Sequence, residues 1–467
     1  MNIHLHPPAQ WAQLEFGGVK LHDARYAKRL VNIGDKLATK PGGTLPQAFG
    51  DWAELKGAYR FFADPRNGFD QIQSVHRQRV LQACGGSGEH LLIEDTTQLD
   101  FTGRACEDLG ATNPGGRGFF LHSTLAVRVE GWDLNQRPQG VVLGLLHQQC
   151  LNRPRLRGKK SETRRQLQER SRESDRWAKV LQEGAGAGKS GESRWVYLAD
   201  READFYEPLQ RCAAGSVDYI IRAFHDRRVA EGPEHYLETL AQGPVVGTLA
   251  VEVRARSGQA ARTAVVAVRC QQVTLRGPYR GGQKMEPFTV NAIEVRETSA
   301  PEGVKPLHWV LLTSLRCDRW SEIQRIIGRY CARWWVEEYH KALKTGAGVE
   351  ASQLEAQHRI ESLVAVLAIV AVRLLSLKFL ARAQPDEPLD VKMFGQPAMA
   401  LLEQRFGQPE QGHWTHRQLV RAIAKMGGFI GRRGDGEPGW QTIWRGWQRL
   451  MWMTEGVELI QHRSIYG

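Results

Sequence analysis

Tyr330-Cys-Ala-Arg333-Trp-Trp-Val-Glu337-Glu-Tyr-His-Lys341-Ala-Leu-Lys344 is the stretch on which the reading of this chain turns. Wound as a helix, its residues advance by about 100° each, so Tyr330, Arg333, Glu337, Lys341 and Lys344 fall within an arc of roughly 80°. Ala332, Trp335, Val336, Tyr339, Ala342 and Leu343 gather on the other side as a burial face. Such a helix packs by one stripe and presents a carboxylate flanked by three cations and a phenol. A metal-binding acid among phosphate-binding cations is what phosphodiester chemistry requires. Arg333–Glu337 and Glu337–Lys341 are also i,i+4 pairs of the kind that decorate a solvated helix, and the stretch alone leaves both readings open.

Outward from this helix, the bulk numbers favour a polyanionic partner. The 467 residues carry a formal charge of +12, with 42% hydrophobic and 24% charged residues, a globular composition large enough for about three domains. Seven cysteines are scattered without a CxxC, which argues against a zinc site or a disulfide framework and points to a reducing, cytoplasmic setting. The opening residues MNIHLHPPAQWAQLEF lack the basic-then-apolar pattern of a secretory leader. The apolar run Leu363–Leu377, broken by Arg373, is expected to be a buried helix rather than a membrane span.

The segment 1–75 reads as a helical, basic DNA-binding domain. LHDARYAKRLVNIGDKLATK ends at Pro41-Gly-Gly, and DWAELKGAYRFF follows with Asp51 as N-cap. HLLIEDTTQLDF, FFLHSTLAVRVE and QGVVLGLLHQQ read as an antiparallel meander. A helix over about 161–182, the strand RWVYLAD, the helix READFYEPLQRC and the strand VDYIIRAF come next. That order predicts an α/β fold, a ribonuclease-H-like mixed sheet whose first part spans 76–225. Four more strand-like runs form a β-rich insertion over 226–315. The core resumes over 316–382 with the Glu337 helix. Residues 383–467 are helical and tryptophan-rich, either a small core or an oligomerisation surface.

Asp95 and Asp200 each follow a buried apolar run, Leu91-Leu-Ile93 and Trp195–Ala199, at the strand ends where open α/β sheets bind ligands. An aspartate before a helix is equally a cap, and Asp200 opens READFYEPLQ. Together with Glu337, however, the two can seat a pair of divalent cations, Mg2+ or Mn2+, suited to all-oxygen ligation. Glu94 alternates away from Asp95 along its strand, and Glu338 lies about 100° round the helix from Glu337.

At these residues the chain resembles bacterial DDE insertion-sequence transposases of the hairpin-forming YREK group (Tn-five transposase-like). IEDTTQLDF, LADREADFYE and YCARWWVEEYHKALKTGAG are similar to that family's three acidic motifs, and Tyr330, Arg333, Glu337 and Lys344 match its third-motif spacing. Weaker similarities run over nearly the whole chain. The resemblance implies cut-and-paste transposition by a homodimer in a synaptic complex on terminal inverted repeats and target DNA. Asp95, Asp200 and Glu337 would ligate two metal ions per active site. Tyr330, Arg333 and Lys344 would hold phosphates near the scissile end, with Lys341 and Arg222 as further contacts. Trp309 would receive a flipped base during hairpin formation, and Arg25, Arg29 and Arg60 would bind the transposon end. Residues 151–180, with eleven Lys or Arg against four Asp or Glu, add a local surplus of 11 − 4 = +7 that would draw DNA in.

GAGAGKS at 184–190 is not a phosphate loop, because Glu183 replaces the required first glycine and the flanking order is helix then strand. A metal-dependent nuclease of the same fold, without strand transfer, is the nearer rival. A DNA-binding repressor that has lost its chemistry is the third reading.

Overall fold

The computed structural model describes residues 3–463 except 107, 114, 154–191, 208, 211–216, 254–259 and 281. The expected helix over 161–182, the basic segment 151–180 beyond its first three residues, and the GAGAGKS loop lie outside the described residues.

The described strands are β1 (Gly88–Asp100), β2 (Gly110–Ala111), β3 (Arg117–Trp132), β4 (Pro138–Leu151), β5 (Ser193–Ala199), β6 (Asp218–Arg222), β7 (Val245–Val253), β8 (Arg262–Leu275), β9 (Tyr279–Arg280), β10 (Gln283–Lys284), β11 (Phe288–Glu297) and β12 (His308–Thr313). Ten of them form one mixed sheet in the order β2-β3-β1-β5-β6-β12-β11-β8-β7, with β4 also paired to β3. The β1–β3–β4 meander is antiparallel, whereas β5 runs parallel to β1 and β6 parallel to β5. This is the ribonuclease-H-like arrangement that the sequence predicts.

Alternation along the strands explains why their sequences read as unbroken apolar runs. Leu91, Ile93, Val196, Leu198 and Ile220 belong to one buried cluster, and Leu92, Trp195, Tyr197, Tyr219 and Ile221 to another. Successive side chains point to opposite faces, so both faces of the sheet are covered. The first face is roofed by the helix Gln357–Ala383, by the amino-terminal helices and by the Glu337 helix. Gln357–Ala383 is long and apolar enough to cross a membrane, but its apolar window is wholly buried inside the protein. Its buried positions run from Ile360 to Ala381 almost without interruption, the pattern of a helix surrounded on every side.

The β-rich insertion read over 226–315 joins the core sheet: β12 pairs antiparallel with β6, and β11, β8 and β7 extend it. A strand edge left open at β6 has been closed by these added strands. The strand read over HLLIEDTTQLDF continues through Asp95, as its sequence predicts. It runs on to Asp100 because β3 keeps pairing with it, Asp95 opposite Ser123 and Asp100 opposite Gly118. What ends near Asp95 is the parallel ladder to β5, whose last pair is Ile93 with Leu198.

The amino-terminal helices Ala24–Thr39 and Trp52–Ala63 form as read. Asp51 accepts from the Glu54 N–H at 2.9 Å and caps the second of them. Their buried residues Leu30, Ile33, Ala58 and Phe61 join the same apolar cluster as the sheet. In the carboxyl-terminal region Trp414, Trp440 and Trp447 are buried, while Trp452, Leu459 and Ile460 lie exposed along the helix Trp440–Arg463. Both readings of that segment therefore hold: it has a core and an uncovered apolar face.

Candidate active site

Alternation also places the candidate residues. Asp95 lies two residues beyond Ile93 and Asp200 two beyond Leu198, so the two aspartates continue the parallel register side by side. Adjacent strands lie about 4.8 Å apart. By the same parity both belong to the face on which Val336 and Tyr339 of the Glu337 helix pack, as do Arg222 on β6 and Trp309 on β12. Glu94 points to the other face. There it is consumed by His122 Nε2 at 2.9 Å, by the Thr124 hydroxyl at 3.1 Å and by the Tyr197 hydroxyl.

Tyr330 and Glu337 do not share one unbroken helix. Trp320–Ala332 ends at Arg333, Trp334–Lys341 carries Glu337, and a π-helical turn over Ala342–Gly346 carries Lys344. Arg333 keeps right-handed helical angles (φ −51°, ψ −30°), so the path bends there without reversing. The expected burial face is observed, with Ala332, Val336, Tyr339, Ala342 and Leu343 inside. Of the two readings left open for the opposite stripe, a solvated face does not hold throughout: Tyr330 and Arg333 are buried, Glu337 and Lys344 are half-buried, and Lys341 is exposed.

The acids feel one another. The Asp95 carboxyl is pushed up to about 7, first by burial and then by the charges of Asp200 and Glu337, against the pull of Arg333 and the Thr96 N–H. Arg333 bridges two of them, with Nη2 at 2.5 Å from Glu337 Oε1 and Nη1 at 3.5 Å from Asp95 Oδ2. Asp200 also caps a single 3-10 turn, accepting from the Glu202 N–H at 2.7 Å. Capping and membership of the acid group are thus not exclusive. Among the described residues no group of three or more His, Cys, Asp or Glu side chains is preassembled around an ion position. Asp95 and Glu337 share the Arg333 guanidinium, Asp200 acts on Asp95 through its charge, and carboxylate oxygens are the donors a hard divalent cation would take.

The phenol and the indole sit beside the acids. Burial raises the Tyr330 phenol, while Arg333 and Arg222 pull it down, and Arg222 also hydrogen-bonds with it. The Trp309 ring meets Tyr330 edge-on at 5.3 Å, and Arg222 donates to the His308 carbonyl at 3.3 Å. Trp309 is half-buried and lines a cavity of about 300 Å³ with Trp334, Trp335, Cys331 and Arg382. Arg25, Arg29 and Arg60 are not at this site. They belong to the amino-terminal helices, where Arg25 pairs with Asp23 at 2.7 Å and Arg60 is exposed.

Two residues escape the sequence reading. His340 is buried with Nδ1 at 4.0 Å from Asp95 Oδ2, and Nε2 has no hydrogen-bond partner among the described residues. Burial, then the Lys344, His122 and Arg333 charges, lower it to about 3 and keep it neutral. Its position three residues after Glu337 is a signal that was there to be used. Glu350 had none: it follows a turn, yet its carboxylate holds Lys344 at 3.3 Å and accepts from the Asp100 N–H at 3.0 Å.

Comparison with known families agrees with the two ends of the chain. A transposase DNA-binding model matches residues 8–67, the helices that carry Arg25, Arg29 and Arg60. The Tn5 transposase dimerisation domain matches residues 370–467, which include the exposed apolar face of the last helix. These two domains bracket a ribonuclease-H-like sheet, and together they support a Tn5-like DNA transposase.

Proposed function

We propose that this transposase works by the cut-and-paste route of the hairpin-forming YREK group, with Asp95, Asp200 and Glu337 as its catalytic carboxylates. The observation that carries the reading is that Asp95 and Asp200 follow just beyond the last pair of one parallel ladder, with Arg333 bridging Asp95 to Glu337 on the helix above. Two Mg2+ or Mn2+ ions held by these acids would activate the attacking oxygen and stabilise the leaving one.

The chain's own residues do the rest. Arg333, Lys344 and Lys341 neutralise and position the phosphates at the scissile end, with Arg222 and the Tyr330 hydroxyl beside them. Water first nicks the element end. The freed 3′ hydroxyl attacks the opposite strand and closes a hairpin, a second water opens it, and the 3′ end joins target DNA. Trp309, half-buried in the wall of a cavity shared with Trp334 and Trp335, offers a stacking surface for the base extruded while the hairpin forms. The amino-terminal helices hold the terminal inverted repeat, and the exposed face of the last helix pairs two protomers into the synaptic complex. The setting is the bacterial cytoplasm, on the nucleoid.

A nuclease of the same fold would use the same acids and stop at cleavage; the two terminal domains favour the transposase. The test is incubation of protein, Mg2+, DNA from the element's own ends and a supercoiled target. Hairpin ends and joined products are expected from the wild type. Neither is expected from Glu337→Gln, which still binds the ends, and nicked ends without hairpins are expected from Trp309→Ala. Cleavage without joining would favour the nuclease, and normal cleavage by Glu337→Gln would exclude this site.

A further inference from the structure

The Arg333 guanidinium occupies the place that a cation held by these acids has to take. It lies 2.5 Å from Glu337 Oε1 and 3.5 Å from Asp95 Oδ2, so a single side chain neutralises two of the three carboxylates. Its side chain is only 11% exposed. Its backbone is fixed at the junction of two helices, so the side chain can leave the acids only by rotating away from a stationary Cα. Carboxylates satisfied in this way are not open to a metal ion. A guanidinium satisfied in this way is not free to grip phosphate.

We infer that Arg333 is an exchangeable counter-ion, closing the acid site in the DNA-free protein and leaving it when a DNA phosphate takes the guanidinium. Nucleic acid and divalent cation then load the site together. The inference rests on the reading of Asp95, Asp200 and Glu337 as the metal-holding acids. It follows from matched geometry: the planar fork that reaches two carboxylates, one by a hydrogen bond and one as an ion pair, can also span two phosphate oxygens, so the exchange replaces one charge-assisted contact by another. The vacated carboxylates of Asp95 and Glu337, close enough to share one guanidinium, then favour a divalent ion over no ion. Coupling of this kind is reciprocal, so the factor by which DNA tightens metal binding is the factor by which metal tightens DNA binding. Lys344 repeats the arrangement nearby, held by Glu350 at 3.3 Å, whereas Lys341 is exposed and ready for first contact. A purely structural ion pair makes the opposite statement. Its loss would loosen the helix junction and weaken any ion site.

The experiment is a Mn2+ titration of the DNA-free protein, followed by the electron paramagnetic resonance signal of the free ion. It compares wild type, Arg333→Gln, Arg333→Lys and Asp95→Asn, each checked for folding by circular dichroism. Arg333→Gln is expected to bind Mn2+ about tenfold or more tighter than wild type, with Arg333→Lys between them because a lone ammonium cannot bridge both carboxylates. A short mixed-sequence duplex at low salt should tighten Mn2+ binding by the wild type and hardly change it in Arg333→Gln. Affinity in Arg333→Gln equal to or below wild type overturns the inference. If that variant does not fold, the same result in Arg333→Lys overturns it. Asp95→Asn separates the two possible failures. Loss of Mn2+ binding there, with no gain in the Arg333 variants, leaves the acid site standing and removes the exchange. Undiminished Mn2+ binding by Asp95→Asn removes the acid site itself.

Discussion

At the scale of single residues, the site holds its own ions in check. Arg333 is engaged by Glu337 and Asp95, and Lys344 by Glu350, before any nucleic acid arrives. Each of these partial neutralisations keeps a half-buried charge tolerable and, on the proposed function, would have to be undone for phosphate to bind. Glu350→Gln frees Lys344 while leaving the fold's apolar contacts alone. Tighter binding of duplex DNA is expected, with a salt slope steeper by about one unit, read from mobility shifts across a salt series. An unchanged slope would mean that Lys344 does not meet phosphate. The acids themselves were legible in the sequence because each ends or follows an apolar run, or lies on a spaced helical face. The pairings were not, because Glu350 reaches Lys344 through a turn and Asp95 meets Arg333 across the fold. Which charges neutralise one another is set by tertiary approach, and no periodicity records it.

At the scale of elements, delivery of the third acid depends on a close approach between the helix Trp320–Ala332 and the turn joining β3 to β4. A Cβ placed on Gly328 would lie 2.1 Å from the Gln136 carbonyl oxygen, and Gln136 itself has φ +56°. Backbone on both sides leaves no side chain to give way. Gly328→Ala is therefore expected to cost about 1–3 kcal/mol and to shift Tyr330 and Arg333 off the acids. Thermal melting reads the first effect, and a melting temperature equal to wild type would show that the helix has room to move. The burial face of the Glu337 helix was visible in advance because a 3.6-residue period survives local irregularity. The break at Arg333 and the π-turn at Ala342–Gly346 were not, since the sequence there carries no proline, and its weak formers Trp334, Trp335, Val336 and Thr345 are residue types that occur within helices elsewhere. The strand β1 was readable over HLLIEDTTQLDF, but that β3 pairs along its whole length, a non-local matter, was not.

At the scale of the whole molecule, the terminal domains are keyed into the core by buried polar groups. Arg373, in the middle of the long apolar helix, donates to the His6 carbonyl at 2.6 Å and lies over the rings of Trp11 and Trp447 at 5.0 and 5.2 Å. It thus joins amino-terminal, central and carboxyl-terminal parts, and burial lowers its guanidinium to about 9. Glu15 on the first helix meets His76 and Arg79, each at 2.8 Å. Burial alone would raise the Glu15 carboxyl, but these partners outweigh it and hold it at about 2 against an ordinary 4.5. A lowered folded value means that its stabilisation is complete above pH 4.5 and is lost as pH falls toward 2. The whole effect is on the order of 3 kcal/mol. Between about pH 5 and pH 3, urea denaturation should show a larger stability loss in wild type than in Glu15→Gln; equal losses would remove the keying role of Glu15. The domain order and the sheet were legible from apolar runs and turns, whereas the fusion of the 226–315 strands onto that sheet was not, because strand neighbours across a long connection leave no local trace. The claim on which the catalytic reading stands is that Asp95, Asp200 and Glu337 act as one ion-holding group. It is tested most directly by anomalous scattering from crystals of the protein grown with Mn2+ and DNA from the element's ends. Manganese peaks within ligation distance of all three carboxylates, with Arg333 turned to phosphate, are the expected result. Manganese held by other residues, or none at these acids in a DNA-bound site, would contradict it.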